Sequence, residues 1–103
     1  MLILYFLKTL NWERSEPIGT LNSKQQKTLK DIFEDPIRAN IDWSDFESLL
    51  KTLGRVTEGS GSRVRALVNG KVATFHRPHP EKETDKGTVK SVRRFLREAG
   101  FKP

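Results

Sequence analysis

The chain has 103 residues, enough for one compact domain with a modest core and too few for two independent ones. It holds no cysteine and two histidines, which excludes disulfides, thiolate nucleophiles and cysteine-based zinc sites, leaves little for any other metal site, and fits a reducing cytoplasmic setting. The net charge of +6 is uneven: residues 63–103 carry eleven Lys/Arg against four Asp/Glu and residues 1–62 eight against nine, so the C-terminal part is the surface suited to a polyanion.

Met1 to Leu7, MLILYFL, is an apolar run too short to cross a bilayer as a helix. It has no basic segment ahead of it and no small-residue cleavage pattern after it, so a signal peptide is not expected. Residues 1–22 read as a peripheral extension and 23–103 as the working domain. Ser23 is the expected N-cap of a helix over about Lys24 to Phe33, with Gln25 or Gln26 near the capping-box position and Leu29, Ile32 and Phe33 as its apolar stripe. Pro36 marks its end, and Ile37 to Ile41 reads as a turn or a short helical piece. Asp42 then caps a second helix in which Trp43, Phe46, Leu49, Leu50 and Leu53 follow helical spacing, and Gly54 stands at the C′ position.

Arg55 to Glu58 is a short predicted strand, joined by Gly59-Ser60-Gly61-Ser62 to a hairpin. That joint lacks the lysine and the strand-to-helix context of a phosphate-binding P-loop. Asn69-Gly70 is the pair preferred by a two-residue type I′ turn, and placing the turn there predicts a register. Val68 then faces Lys71, Leu67 Val72, Ala66 Ala73, Arg65 Thr74, Val64 Phe75, and Arg63 His76. Alternation puts Val64, Phe75, Ala66 and Ala73 on one side and Arg63, His76, Arg65 and Thr74 on the other. One side is core and the other polar. Pro78 and Pro80 end the second long strand, since proline cannot donate to a ladder. Glu81 to Asp85 is a charged connection in which Thr84 or Asp85 caps the last helix. Val89, Val92, Phe95, Leu96 and Ala99 form that helix's inward stripe, Gly100 ends it, and Lys86, Lys90, Arg93, Arg94 and Arg97 cover much of the rest. Helix, helix, three strands, helix is an α+β order.

Three stretches in this order resemble the HicA family, the small toxins of bacterial type II toxin–antitoxin modules. A short helix ending in glycine, Phe46 to Gly54, precedes Gly61-Ser62 at the entry of the hairpin; the second hairpin strand runs into His79-Pro80; and Lys86-Gly87-Thr88-Val89-Lys90-Ser91-Val92 opens the final helix, with Ala99-Gly100 at its close. The resemblance covers about Asp42 to Phe101 and leaves Met1 to Ile41 unmatched. It implies a fold like the double-stranded RNA-binding domain, a three-stranded antiparallel sheet with helices on one face, here with an extra N-terminal helix. It further implies messenger-RNA cleavage or translation arrest in the cytoplasm as part of a stress response, and neutralisation by a HicB-like antitoxin. No cofactor, metal or membrane is implied.

Family members carry a histidine directly after Gly-Ser, taken as the catalytic group, and here that position is Arg63. Metal-independent RNA cleavage needs a base for the 2′-hydroxyl proton, and histidine serves because it titrates near neutrality. Arginine stays protonated, so Arg63 is suited to holding phosphate or stabilising transition-state charge. The register supplies a substitute base, His76, directly across from Arg63. The candidate catalytic pair is therefore His76 and Arg63, and the RNA-contacting set is Arg63, Arg65, His76, His79, Lys86, Lys90, Arg93, Arg94 and Arg97. The competing function is a module that keeps the fold, has lost catalysis, and acts by occupying RNA or a partner protein. A DNA-binding function is disfavoured, because no helix-turn-helix spacing is present.

Overall fold

The computed structural model describes residues 21–78 and 82–101. Six elements follow one another: α1 (Ser23–Ile32), α2 (Trp43–Leu53), β1 (Arg55–Glu58), β2 (Arg63–Val68), β3 (Lys71–His76) and α3 (Lys86–Glu98). The strands form one antiparallel sheet in the order β1-β2-β3, and the helices pack on one of its faces. This is the α+β, double-stranded-RNA-binding-domain-like arrangement.

The N-terminal helix starts one residue earlier than expected. Asn22, not Ser23, is the N-cap: its Oδ1 accepts from the Gln25 backbone N–H at 2.8 Å, and Gln25 Oε1 accepts from the Asn22 N–H at 3.0 Å. With Asn22 as cap, Gln25 falls at the third helical position and closes a reciprocal capping box. The other end of the same amide, Gln25 Nε2, donates to Ser48 Oγ and Thr52 Oγ1, each at 2.9 Å, and so ties α1 to α2. Leu21 is buried just ahead of the cap.

Ile37 to Ile41 is neither a turn nor a helical piece. The chain from Asn40 to Trp43 runs antiparallel to the connection 82–84: Asn40 N–H donates to Thr84 O at 3.0 Å, Thr84 N–H to Ile41 O at 3.0 Å, and Trp43 N–H to Lys82 O at 2.8 Å. The last of these satisfies a backbone donor that the first turn of α2 leaves without a partner, a role the Asp42 side chain does not take. The connection expected only to be charged is therefore a structural strap, with Thr84 buried.

The hairpin matches the expected register at all six pairs, from Val68 opposite Lys71 to Arg63 opposite His76. Asn69 (φ 50°) and Gly70 (φ 80°) supply the two left-handed residues of the turn. Asn69 Nδ2 also donates to Ala99 O at 2.8 Å, so the turn caps the C-terminus of α3. Asp85 is the N-cap of that helix, its Oδ1 accepting from the Thr88 N–H at 2.8 Å, and this hydrogen bond holds the Asp85 carboxyl below its ordinary pKa.

The core lies between the sheet and the helices. Val64, Ala66, Val68 and Phe75 from the sheet meet Phe46, Leu49, Leu50 and Leu53 of α2 and Val89, Val92, Phe95 and Leu96 of α3. Phe75 is central, edge-on to Phe95 with centroids 5.8 Å apart and 6.3 Å from Trp43. Among the described residues no helix covers the opposite sheet face, which presents Arg55, Thr57, Arg63, Arg65, Leu67, Val72, Thr74 and His76.

Candidate RNA-facing site

Alternation along β2 and β3 decides which side chains reach the open face, and register decides which of them meet. Arg63 and His76 are directly opposed at the end of the hairpin beside the Gly59–Ser62 turn. That turn is ordered by backbone bonds from Gly59 N–H to Arg63 O at 2.8 Å and from Arg77 N–H to Ser62 O at 2.9 Å. Arg63 Nη2 donates to Ser60 Oγ at 2.6 Å, which aims the guanidinium along the turn. Thr57, Ser60, Arg63, Arg65 and Thr74 share a pocket of about 330 Å³ whose rim also carries Glu58, the carboxylate held by Arg77; the two arginines and three hydroxyls are the groups in it that can meet a phosphate. Among the described residues neither Arg63 nor Arg65 has an ion-pair partner.

On the other side of His76 lies a groove of about 820 Å³ lined by Asn40, Arg77, Glu83, Asp85, Lys86 and Thr88 among others. The strap between 40–43 and 82–84 forms its floor, and the first turn of α3 its wall. Lys86 thus shares a groove with His76. The remaining basic residues of α3 do not. Lys90, Arg94 and Arg97 project from the outer side of α3, which lies on the helical face of the sheet. Arg97 stands 5.8 Å from the centroid of the Phe33 ring.

Arg93 is engaged elsewhere. Its Nε donates to Ile32 O at 2.7 Å and its Nη2 to Glu34 O at 2.6 Å, satisfying carbonyls at the end of α1, and its side chain is only 15% exposed. His79 lies outside the described residues.

One residue beside the site escaped sequence reasoning. Arg77, next to His76, makes a double fork: Nε and Nη2 donate to Glu47 at 2.6 and 3.0 Å, and Nη1 and Nη2 to Glu58 at 2.8 and 2.7 Å. Glu47 also accepts from Trp43 Nε1. Hydrogen bonds from Arg77 pull both glutamate carboxyls below their ordinary pKa, and the same bonds hold the guanidinium more firmly protonated than usual. The clamp joins α2, β1 and the end of β3, so the backbone that carries His76 is anchored on both sides. Glu47, Glu58 and Arg77 are too far apart in sequence for any local pattern to reveal this; the single hint is an arginine at the exit of a strand.

A family model described as the HicA toxin of bacterial toxin-antitoxin matches residues 43–101, more than half of the chain. The chain belongs to the HicA toxin family. The match begins at Trp43, the first residue of α2, and takes in the sheet, the 82–84 side of the strap and α3, so α1 and residues 40–42 lie ahead of the family's shared part. No curated protein and no solved structure matched the chain. Membership makes the chain a toxin of a toxin–antitoxin system, which in general pairs with an antitoxin. Within the family's frame Arg63 holds the first position of β2 after Gly61-Ser62, and His76 the last position of β3. No helix among the described residues is long and apolar enough to cross a membrane.

Proposed function

We propose that this HicA-family toxin binds messenger RNA through the open sheet face and cleaves it without a metal cofactor, and that a HicB-like antitoxin neutralises it in the cytoplasm by covering that face. The observation that carries the reading is the direct opposition of His76 and Arg63 on the exposed sheet face. His76 takes the proton of a 2′-hydroxyl, the freed oxygen attacks the adjacent phosphorus, and the 5′-oxygen leaves with a proton from water, giving a 2′,3′-cyclic phosphate. Arg63, steadied by Ser60, offsets the negative charge that grows on the phosphate oxygens. Arg65 and Lys86 hold neighbouring phosphates, while Lys90, Arg94 and Arg97 serve a longer RNA that passes around α3.

A second reading is favoured by one residue. Arginine stands where the family carries its histidine, so the chain can be a module that occupies RNA or a partner without cutting. Incubation of RNA in EDTA with the wild type, His76→Ala and Arg63→His separates the two. Cleavage by the wild type that disappears in a folded His76→Ala variant supports the first reading; an inert wild type with an active Arg63→His variant supports the second.

A further inference from the structure

The open sheet face carries three rows of side chains running across the strands. The first is Arg63 and His76, the second Thr57, Arg65 and Thr74, the third Arg55, Leu67 and Val72. Same-face residues two apart on a strand are separated by about 6.7 Å, so the third row lies about 13 Å from the first. Each step is close to the length of one nucleotide in an extended strand.

Leu67 and Val72 oppose each other directly and are 41% and 58% exposed, the large hydrophobic side chains left most open among the described residues. Neither packs on the core. They form an apolar spot on a face that has three arginines, none of them ion-paired within the described residues; the carboxylate bordering it, Glu58, is held by Arg77.

We propose that this face takes an unpaired RNA strand, with phosphates on the arginine rows and one nucleobase resting on the Leu67–Val72 pair, about two nucleotides from the His76 row. The proposal rests on the RNA-binding reading above and adds the form of RNA and a subsite. Paired bases keep their faces stacked inside the helix, and an A-form duplex offers a protein its phosphates, 2′-hydroxyls and base edges, which an apolar pair does not satisfy. An unstacked base has an apolar face that Leu67 and Val72 can cover. The outer basic residues of α3 lie on the other side of the sheet, so a duplex docked on the open face gains no second line of backbone contacts from them.

The test is fluorescence anisotropy at low salt with a short labelled 2′-O-methyl RNA that cannot be cleaved, presented as a single strand, as the matching duplex, and as a strand with one abasic nucleotide moved along it. The full chain is compared with a Leu67→Thr/Val72→Thr variant, in which threonine keeps strand propensity while removing apolar surface. The wild type should prefer the single strand to the duplex by about tenfold, and the variant should lose most of that preference, the scale expected when roughly 50 Å² of apolar surface is no longer covered. The abasic series on the wild type should weaken binding at one or two positions only. It needs no variant to fold. If the wild type binds RNA but duplex and single strand bind alike, or abasic position makes no difference, the base seat is refuted while RNA binding stands. If it binds neither form, both readings fall.

Discussion

Gly54 closes α2 directly against β2, and one added methyl there probes how the helical layer is seated on the sheet. A Cβ at Gly54 would collide with the Leu67 carbonyl oxygen, lie 2.9 Å from Val68 Cγ2 and 3.1 Å from the Leu67 carbonyl carbon. The φ of −166° at Gly54 lies outside the left-handed region, and the close approach carries the prediction. Leu67 is paired with both Arg55 and Val72, which leaves the sheet little room to yield, so α2 must move outward. Overpacking of this kind costs about 1–3 kcal/mol. Loss of glycine's freedom in the unfolded chain offsets roughly 0.4–1 kcal/mol of that. A net destabilisation of about 1–2 kcal/mol lowers Tm by roughly 5–15 °C in a domain of this size. Thermal unfolding of Gly54→Ala followed by circular dichroism measures it. An unchanged or higher Tm would refute the claim that this contact is rigid.

Other variants separate structural from RNA-facing roles. Asn69→Ala loses both the left-handed turn residue and the bond to Ala99 O and should cost about 2 kcal/mol in urea unfolding, whereas Asn69→Gly, which keeps the turn, should cost about half as much. Arg93→Met removes two hydrogen bonds to carbonyls at the end of α1 and should lower stability by about 2 kcal/mol without changing the salt slope of RNA binding; Lys86→Ala should leave stability unchanged and reduce that slope by about 1. Acid should weaken the Arg77 clamp. Glu47 and Glu58 have folded pKa values below the ordinary 4.5, so their contribution to stability is complete above 4.5 and is lost as pH falls through the lower folded values. Chemical denaturation from pH 6 down to pH 3 should show a drop below about 4.5 that is smaller in Arg77→Gln; an equal drop in both would remove the clamp from the explanation.

The parts of the fold legible in the sequence are those written in local patterns. Asn69-Gly70 between alternating strands determines the register, and the stripes of Trp43 to Leu53 and Val89 to Ala99 determine two helices and the faces they bury. What escaped depends on meetings between distant segments. The strap between 40–43 and 82–84 is made by backbone groups, which any residue supplies, so composition marks that stretch only as charged. Arg93 and Arg94 are neighbours of one charge, yet one ends against carbonyls of α1 and the other faces solvent. The opposition of His76 and Arg63 was legible because it needs only a turn position and the two-residue period of strands; that the neighbouring Arg77 fixes the site needed the tertiary structure.

The most direct measurement on His76 and Arg63 is the single-turnover rate of RNA cleavage in EDTA as a function of pH. With His76 as base, the wild-type rate should rise with pH and then level off, and His76→Ala should be slower by about 10²–10⁴-fold with its fold intact and should lose that rise. A rate indifferent to His76, or an inert wild type beside an active Arg63→His variant, would contradict the assignment of catalysis to this pair.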